Sequence, residues 1–192
     1  LDENTSWTPP PALMDFLDRG PAPIYVGFGS MGSRKPEETA DMVLQALAQT
    51  QQRAVLISGW GGLRKAALPD TVYMADSIPH AWLFPRVATV VHHGGAGTVA
   101  AGLRAGVPSI VIPFFGDQPF WGRQIAALGV GPDPIPRASL SAERLAHAIQ
   151  QAVTDTAMRS KAAELGNTIR QEDGVGEAIR HIEHFGGRLT VA

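Results

Sequence analysis

The sequence predicts an α/β domain built on a doubly wound, parallel sheet. Short runs of wholly apolar, β-forming residues recur along the chain, and stretches with helical periodicity separate them. Glycine and proline fall mainly at the junctions between the two. Strands that are apolar on both faces and bounded by helices indicate a sheet covered on both sides.

The elements follow in order. Residues 24–28 (IYVGF), after Pro21 and Pro23, form a short buried strand that Gly27, Gly29 and Gly32 break into a tight turn. Pro36 suits a first helical position, Glu37 and Glu38 complement a helix N-terminus, and Ala40, Val43, Leu44 and Leu47 repeat at helical spacing. That pattern predicts a helix over about 36–50. Residues 53–58 and 72–75 are strands, and 80–84 is a short helix stopped by Pro85. Further strands are expected at 88–91 and 109–112, with helices at about 96–105 and 118–128. Two or three helices should follow the proline-rich 132–136 loop, within about 140–186. One carries the stripe Ala142, Leu145, Ala146, Ile149 and Val153; another carries Val175, Ala178, Ile179 and Ile182.

Composition narrows the function classes. The 192 residues carry 16 Lys+Arg and 18 Asp+Glu, a formal charge of −2, with no block of like charge, which argues against nucleic-acid binding. The absence of cysteine excludes disulfides and thiolate metal sites and is compatible with a reducing cytosol, so a cytoplasmic location is expected. No apolar run reaches the roughly 18 residues a bilayer crossing needs. The first residues, LDENTSWTPPP, have neither the basic region nor the apolar core of a secretory leader. Any membrane contact should be peripheral, and no basic amphipathic helix supports one.

Ligands of doubly wound sheets bind beyond the carboxyl ends of the strands, and three clusters occupy such positions. Gly27-Phe28-Gly29-Ser30-Met31-Gly32 matches G-x-G-x-x-G, but the second strand does not end in the acid that a dinucleotide ribose requires. His92-His93-Gly94-Gly95-Ala96-Gly97-Thr98 joins a strand to a helix; its amides, a histidine and Thr98 suit a phosphate or diphosphate. A glycine turn can also serve only to pack helix on sheet. The adjacent histidines point to opposite faces, so together they are a poor metal chelate. The third cluster spans 113–121, where Asp117 and Gln118 can meet several sugar hydroxyls. Asp117 could alternatively cap the helix that follows.

These clusters carry a resemblance. Through PIYVGFGSM (23–31), GWGGL (59–63), IPHAWLF (78–84) and the run from VVHHGGAGTV to GPDPIP (90–136), residues 20–155 resemble the C-terminal, donor-binding half of GT-B nucleotide-sugar glycosyltransferases. The sterol 3β-glucosyltransferases and the bacterial antibiotic glycosyltransferases are the nearest in pattern. The resemblance implies one Rossmann-like half of a GT-B fold over residues 20–192, with 1–19 a lead-in from an N-terminal half that no segment here resembles. It implies a donor contact from Gly29, a diphosphate contact from Ser30 on the first loop, and phosphate contacts from His93, Gly95, Ala96, Gly97 and Thr98 on the second. Trp60, Ile78 and His80 would form the base pocket, and Asp117 and Gln118 would hold the hexose. Plant relatives place a stacking tryptophan near Ser77, which departs from that pattern, and His80 replaces their glutamine.

The implied donor is UDP-glucose or a related nucleotide sugar, though antibiotic relatives also use deoxythymidine sugars. The implied reaction is inverting and needs no metal or other cofactor, since no D-x-D motif is present. Its base would belong to the N-terminal acceptor-binding domain and its acceptor would be hydrophobic, such as a sterol or an antibiotic aglycone. His93 would stabilise the leaving group, and this chain by itself should hold no catalytic base. The alternatives are an NAD-dependent oxidoreductase domain, a nucleotide-sugar epimerase, and a non-catalytic module presenting Phe114, Phe115, Phe120 and Trp121 to a partner.

Overall fold

The computed structural model describes residues 7–28, 36–57 and 68–186. Five strands, β1 (Ile24–Gly27), β2 (Ala54–Ile57), β3 (Val72–Ala75), β4 (Val90–His92) and β5 (Ser109–Val111), form one sheet in the order β3-β2-β1-β4-β5. Every pairing is parallel. The chain moves outward from β1 to β2 and β3, then returns to the other side of β1 for β4 and β5. That reversal opens a crevice beyond the carboxyl ends of β1 and β4, where doubly wound folds place their ligands.

Strand residues alternate between two cores, as the twofold period of a strand requires. Ile24, Val26, Leu56, Val91 and Ile110 face helices α2 (Pro36–Thr50) and α6 (Ala142–Thr154), whose Val43, Leu47, Leu145 and Ile149 complete that layer. Tyr25, Val55 and Val90 face the opposite way, toward α1 (Pro11–Asp18), α3 (His80–Leu83) and the 3-10 turn Phe84–Arg86. A third cluster of Val99, Val111, Ile125 and Val130 ties α4 (Ala96–Ala105) and α5 (Gln118–Ala127) to β5. Helices α7 (Thr156–Gln171) and α8 (Gly174–Gly186) follow.

The expected elements appear with their ends shifted by a residue or two, and the shift at β4 is informative. The apolar run stops at Val91, but the ladder continues: His92 pairs with Gly27 and Val111, and its carbonyl accepts from the Ile112 amide at 2.9 Å. A buried polar residue thus extends a strand that hydrophobicity ends early. Helix α1 has no counterpart among the expected elements. Its Leu13 and Phe16 are buried in the sheet core, and Phe16 also carries the Arg53 guanidinium 4.2 Å above its ring.

The last helix forms where the Val175–Ile182 spacing places it, but its stripe faces outward. Val175, Ile179 and Ile182 are 73%, 50% and 70% exposed.

Candidate nucleotide-sugar site

The centre of the crevice is the β4–α4 turn. Gly95 is the N-cap of α4, in an extended conformation and without a side-chain cap, so the first amides of the helix keep their donors for something else. Ala96 and Gly97 are exposed, and the space where a β-carbon of Gly97 would sit is open. A ten-residue helix carries about half a positive charge at this end.

His93 stands beside these amides. A β-carbon at Gly95 would collide with its Nε2, which places that nitrogen over the helix N-terminus. Burial pulls the His93 pKa below the ordinary imidazole value, and the Asp117 carboxylate opposes the shift. The ring is therefore neutral at pH 7 and carries a single N–H donor. Its Nδ1 is buried and has no hydrogen-bond partner among the described residues, so the ring has no internal bond that would turn it away from the crevice.

The β4–α4 turn touches the third cluster through Gly94. This residue has φ +90°, and a β-carbon on it would come within 2.7 Å of Val111 Cγ1 and 3.1 Å of the Gln118 carbonyl oxygen. Only glycine fits both demands. The two loops are thus pressed together, which brings His93 and Asp117 to one side of the crevice.

Asp117 occupies the N-cap position of α5 but makes no cap hydrogen bond; its Oδ2 accepts from Trp121 Nε1 at 2.7 Å. The capping alternative is thereby removed, and an exposed, oriented carboxylate remains. Gln118 behaves differently. It is only 5% exposed, and its Oε1 accepts the amides of Phe114 and Phe115 at 2.7 and 3.2 Å. The expected hexose contact has its oxygen committed to holding the β5–α5 loop. Among the aromatics of that loop, Phe115 and Phe120 are exposed, whereas Phe114 and Trp121 pack against the core.

On the other wall, Ile78 is buried among Tyr25, Leu83 and Phe84. His80 is the first residue of α3; its Nε2 lies 3.2 Å from the Tyr25 hydroxyl and its ring stacks on Phe84 at 4.4 Å. Burial raises the Tyr25 pKa far above normal, so the phenol stays protonated. Tyr25 is not legible from the sequence as a partner of His80, because a tyrosine in an apolar strand looks like core. Gly29, Ser30 and Trp60 lie outside the described residues. No group of three or more potential metal ligands occurs among the described residues, and none of their helices is long and apolar enough to cross a membrane.

Comparison with known proteins agrees with this architecture. A sterol 3-beta-glucosyltransferase of Arabidopsis thaliana is 46% identical over 181 residues, covering 94% of this chain but 28% of the relative. Among solved structures, the calicheamicin glycosyltransferase CalG4 superposes with a TM-score of 0.77 at 25% identity, over 96% of this chain and 45% of that one. The glycosyltransferase VinC, solved in complex with dTDP, gives 0.71 at 23% identity, over 88% and 44%. The chain therefore spans about a quarter of the curated relative and just under half of each solved neighbour, and its fold is the Rossmann-like half of a GT-B glycosyltransferase fold. Residues 42–184 match the family model of the erythromycin biosynthesis protein CIII-like C-terminal domain, and the chain belongs to that family.

Proposed function

We propose that this chain is the donor-binding domain of an inverting, metal-independent glycosyltransferase that moves a hexose from UDP-glucose to a hydroxyl of a hydrophobic acceptor such as a sterol or an antibiotic aglycone. The observation that carries the reading is the uncapped N-terminus of α4 beside a neutral His93, at the point where the strand order reverses. The dTDP bound to VinC and the name of the Arabidopsis relative support a nucleotide-sugar donor and glucose respectively.

Transfer of the hexose breaks the bond between the anomeric carbon and the diphosphate, and negative charge builds on the departing oxygens. Amides at a helix N-terminus are donors fixed in advance toward that charge, and the His93 N–H stands beside them, which is the arrangement that lowers such a barrier. The exposed Asp117 carboxylate accepts from sugar hydroxyls. Gln118 acts on the hexose indirectly, by shaping the loop that presents Asp117. The base that takes the acceptor proton comes from an N-terminal acceptor-binding domain, so this chain binds donor but transfers little on its own. The setting is cytoplasmic, with any membrane contact peripheral.

Calorimetric titration tests the reading. The chain should bind UDP, and His93→Ala should weaken binding by about tenfold to a hundredfold, the value of one hydrogen bond to a charged group. An unmeasurable UDP affinity, tighter binding of NAD than of UDP, or indistinguishable wild type and His93→Ala would overturn it.

A further inference from the structure

On the β4–α4 turn the contacts assigned to the diphosphate begin at residue 93, but the preceding residue is built into the same turn from behind. His92 is fully buried at the end of a central parallel strand, a place ordinarily given to aliphatic side chains, as it is at Val90 and Val91. Its Nδ1 accepts the Gly94 N–H at 3.0 Å. That amide is itself buried, and an aliphatic residue at 92 would leave it unpaired at a cost comparable to a lost hydrogen bond.

The Gly94 peptide is held from two sides. Val111 and the Gln118 carbonyl close on its α-carbon from β5 and α5, and the His92 ring takes its amide. The following residue, Gly95, begins α4 without any side-chain cap of its own. The direction in which the first amides of α4 point therefore follows from the conformation at Gly94.

We propose that His92 is a positioning residue for the donor's diphosphate: through the Gly94 amide it fixes the β4–α4 turn, so that the helix N-terminus and His93 face the crevice. The inference rests on the donor reading given above. His92 does not touch the ligand. Because Nδ1 accepts, the proton of the neutral ring sits on Nε2. Burial pushes the pKa down to about 3, with His93 and His80 adding to the shift, so Nδ1 keeps its lone pair at neutral pH.

Three variants separate positioning from bulk packing. Asn places an acceptor the same number of bonds from the backbone as Nδ1, Gln places it one bond further, and Leu has none. The chain is titrated with UDP and, separately, with uridine, which lacks the phosphates; thermal unfolding of each variant is followed in parallel. His92→Gln and His92→Leu should each weaken UDP binding by about tenfold or more while uridine changes by less than about twofold, and His92→Asn should stay within about threefold of wild type for both. Equal UDP affinities of the Gln and Asn variants, or parallel weakening of UDP and uridine, would overturn the inference while leaving the donor reading intact. A wild-type chain that binds no UDP would overturn the donor reading and this inference with it. If His92→Leu does not fold, the Asn and Gln pair still decides.

Discussion

Helices α6 and α8 are the same length, 13 residues each, and both repeat apolar residues every three or four positions. In α6 the stripe is sealed: Ala142, Leu145, Ala146 and Ile149 are at most 7% exposed, and the last three lie in the core shared with α2 and the sheet. In α8, Val175, Ile179, Ile182 and Phe185 are each at least half exposed. Periodicity thus determines that a segment becomes an amphipathic helix, and says nothing about whether a surface awaits its apolar side. For α6 that surface exists, because α2 and β5 pack against it. Among the described residues, α8 has no comparable cover.

The largest test of this difference is Ile149→Ala. Removing a fully buried aliphatic side chain should cost about 2–5 kcal/mol, read as a lower urea midpoint at unchanged slope. A loss under about 1 kcal/mol would mean that α6 is no better seated than α8.

The next test extends the contrast from apolar to ionisable burial. His92 has its folded pKa depressed to about 3, against an ordinary 6.5 in the unfolded chain. Above pH 6.5 both states are neutral and stability is flat. Below it the unfolded chain takes up a proton that the folded one refuses, so stability falls by up to about 1.4 kcal/mol per pH unit until the folded pKa is reached. Urea unfolding between pH 7 and 4.5 should show this slope, and His92→Asn should make it shallower; an unchanged slope would place the effect elsewhere.

A smaller effect is expected at the entrance of α6, where the Ser141 hydroxyl accepts the Arg144 amide at 3.3 Å. Ser141→Ala should cost about 1 kcal/mol by loss of the cap, and a stabilising outcome would contradict the geometry. Smallest of all is Ile182→Ser on α8, which should change unfolding stability by no more than about 0.5 kcal/mol. A loss like that of Ile149→Ala would erase the comparison.

The candidate site divides along the same line. The β4–α4 and β5–α5 clusters could be read directly, because a strand, a glycine turn and a helix in sequence put amides and polar side chains at one end of the sheet whatever the details. Asp117 was ambiguous between capping and binding until its carboxylate was found turned to Trp121. Gln118 looked like a sugar contact, since nothing in its sequence neighbourhood says that its oxygen closes back on Phe114 and Phe115. Tyr25 and His80, 55 residues apart, meet only because α3 folds across β1.

By itself the sequence determined the α/β class, most of the elements and the end of the sheet where the candidate clusters gather, because those follow from local period, turn residues and chain order. Only the tertiary structure decided that α1 joins the core, that α8 leaves its apolar stripe uncovered, that Gln118 turns inward and that His92 holds the Gly94 amide. Each of these depends on which surfaces meet across long stretches of chain. A local pattern records how a segment is two-sided, whereas burial and hydrogen-bond partners are properties of the pairs that folding brings together.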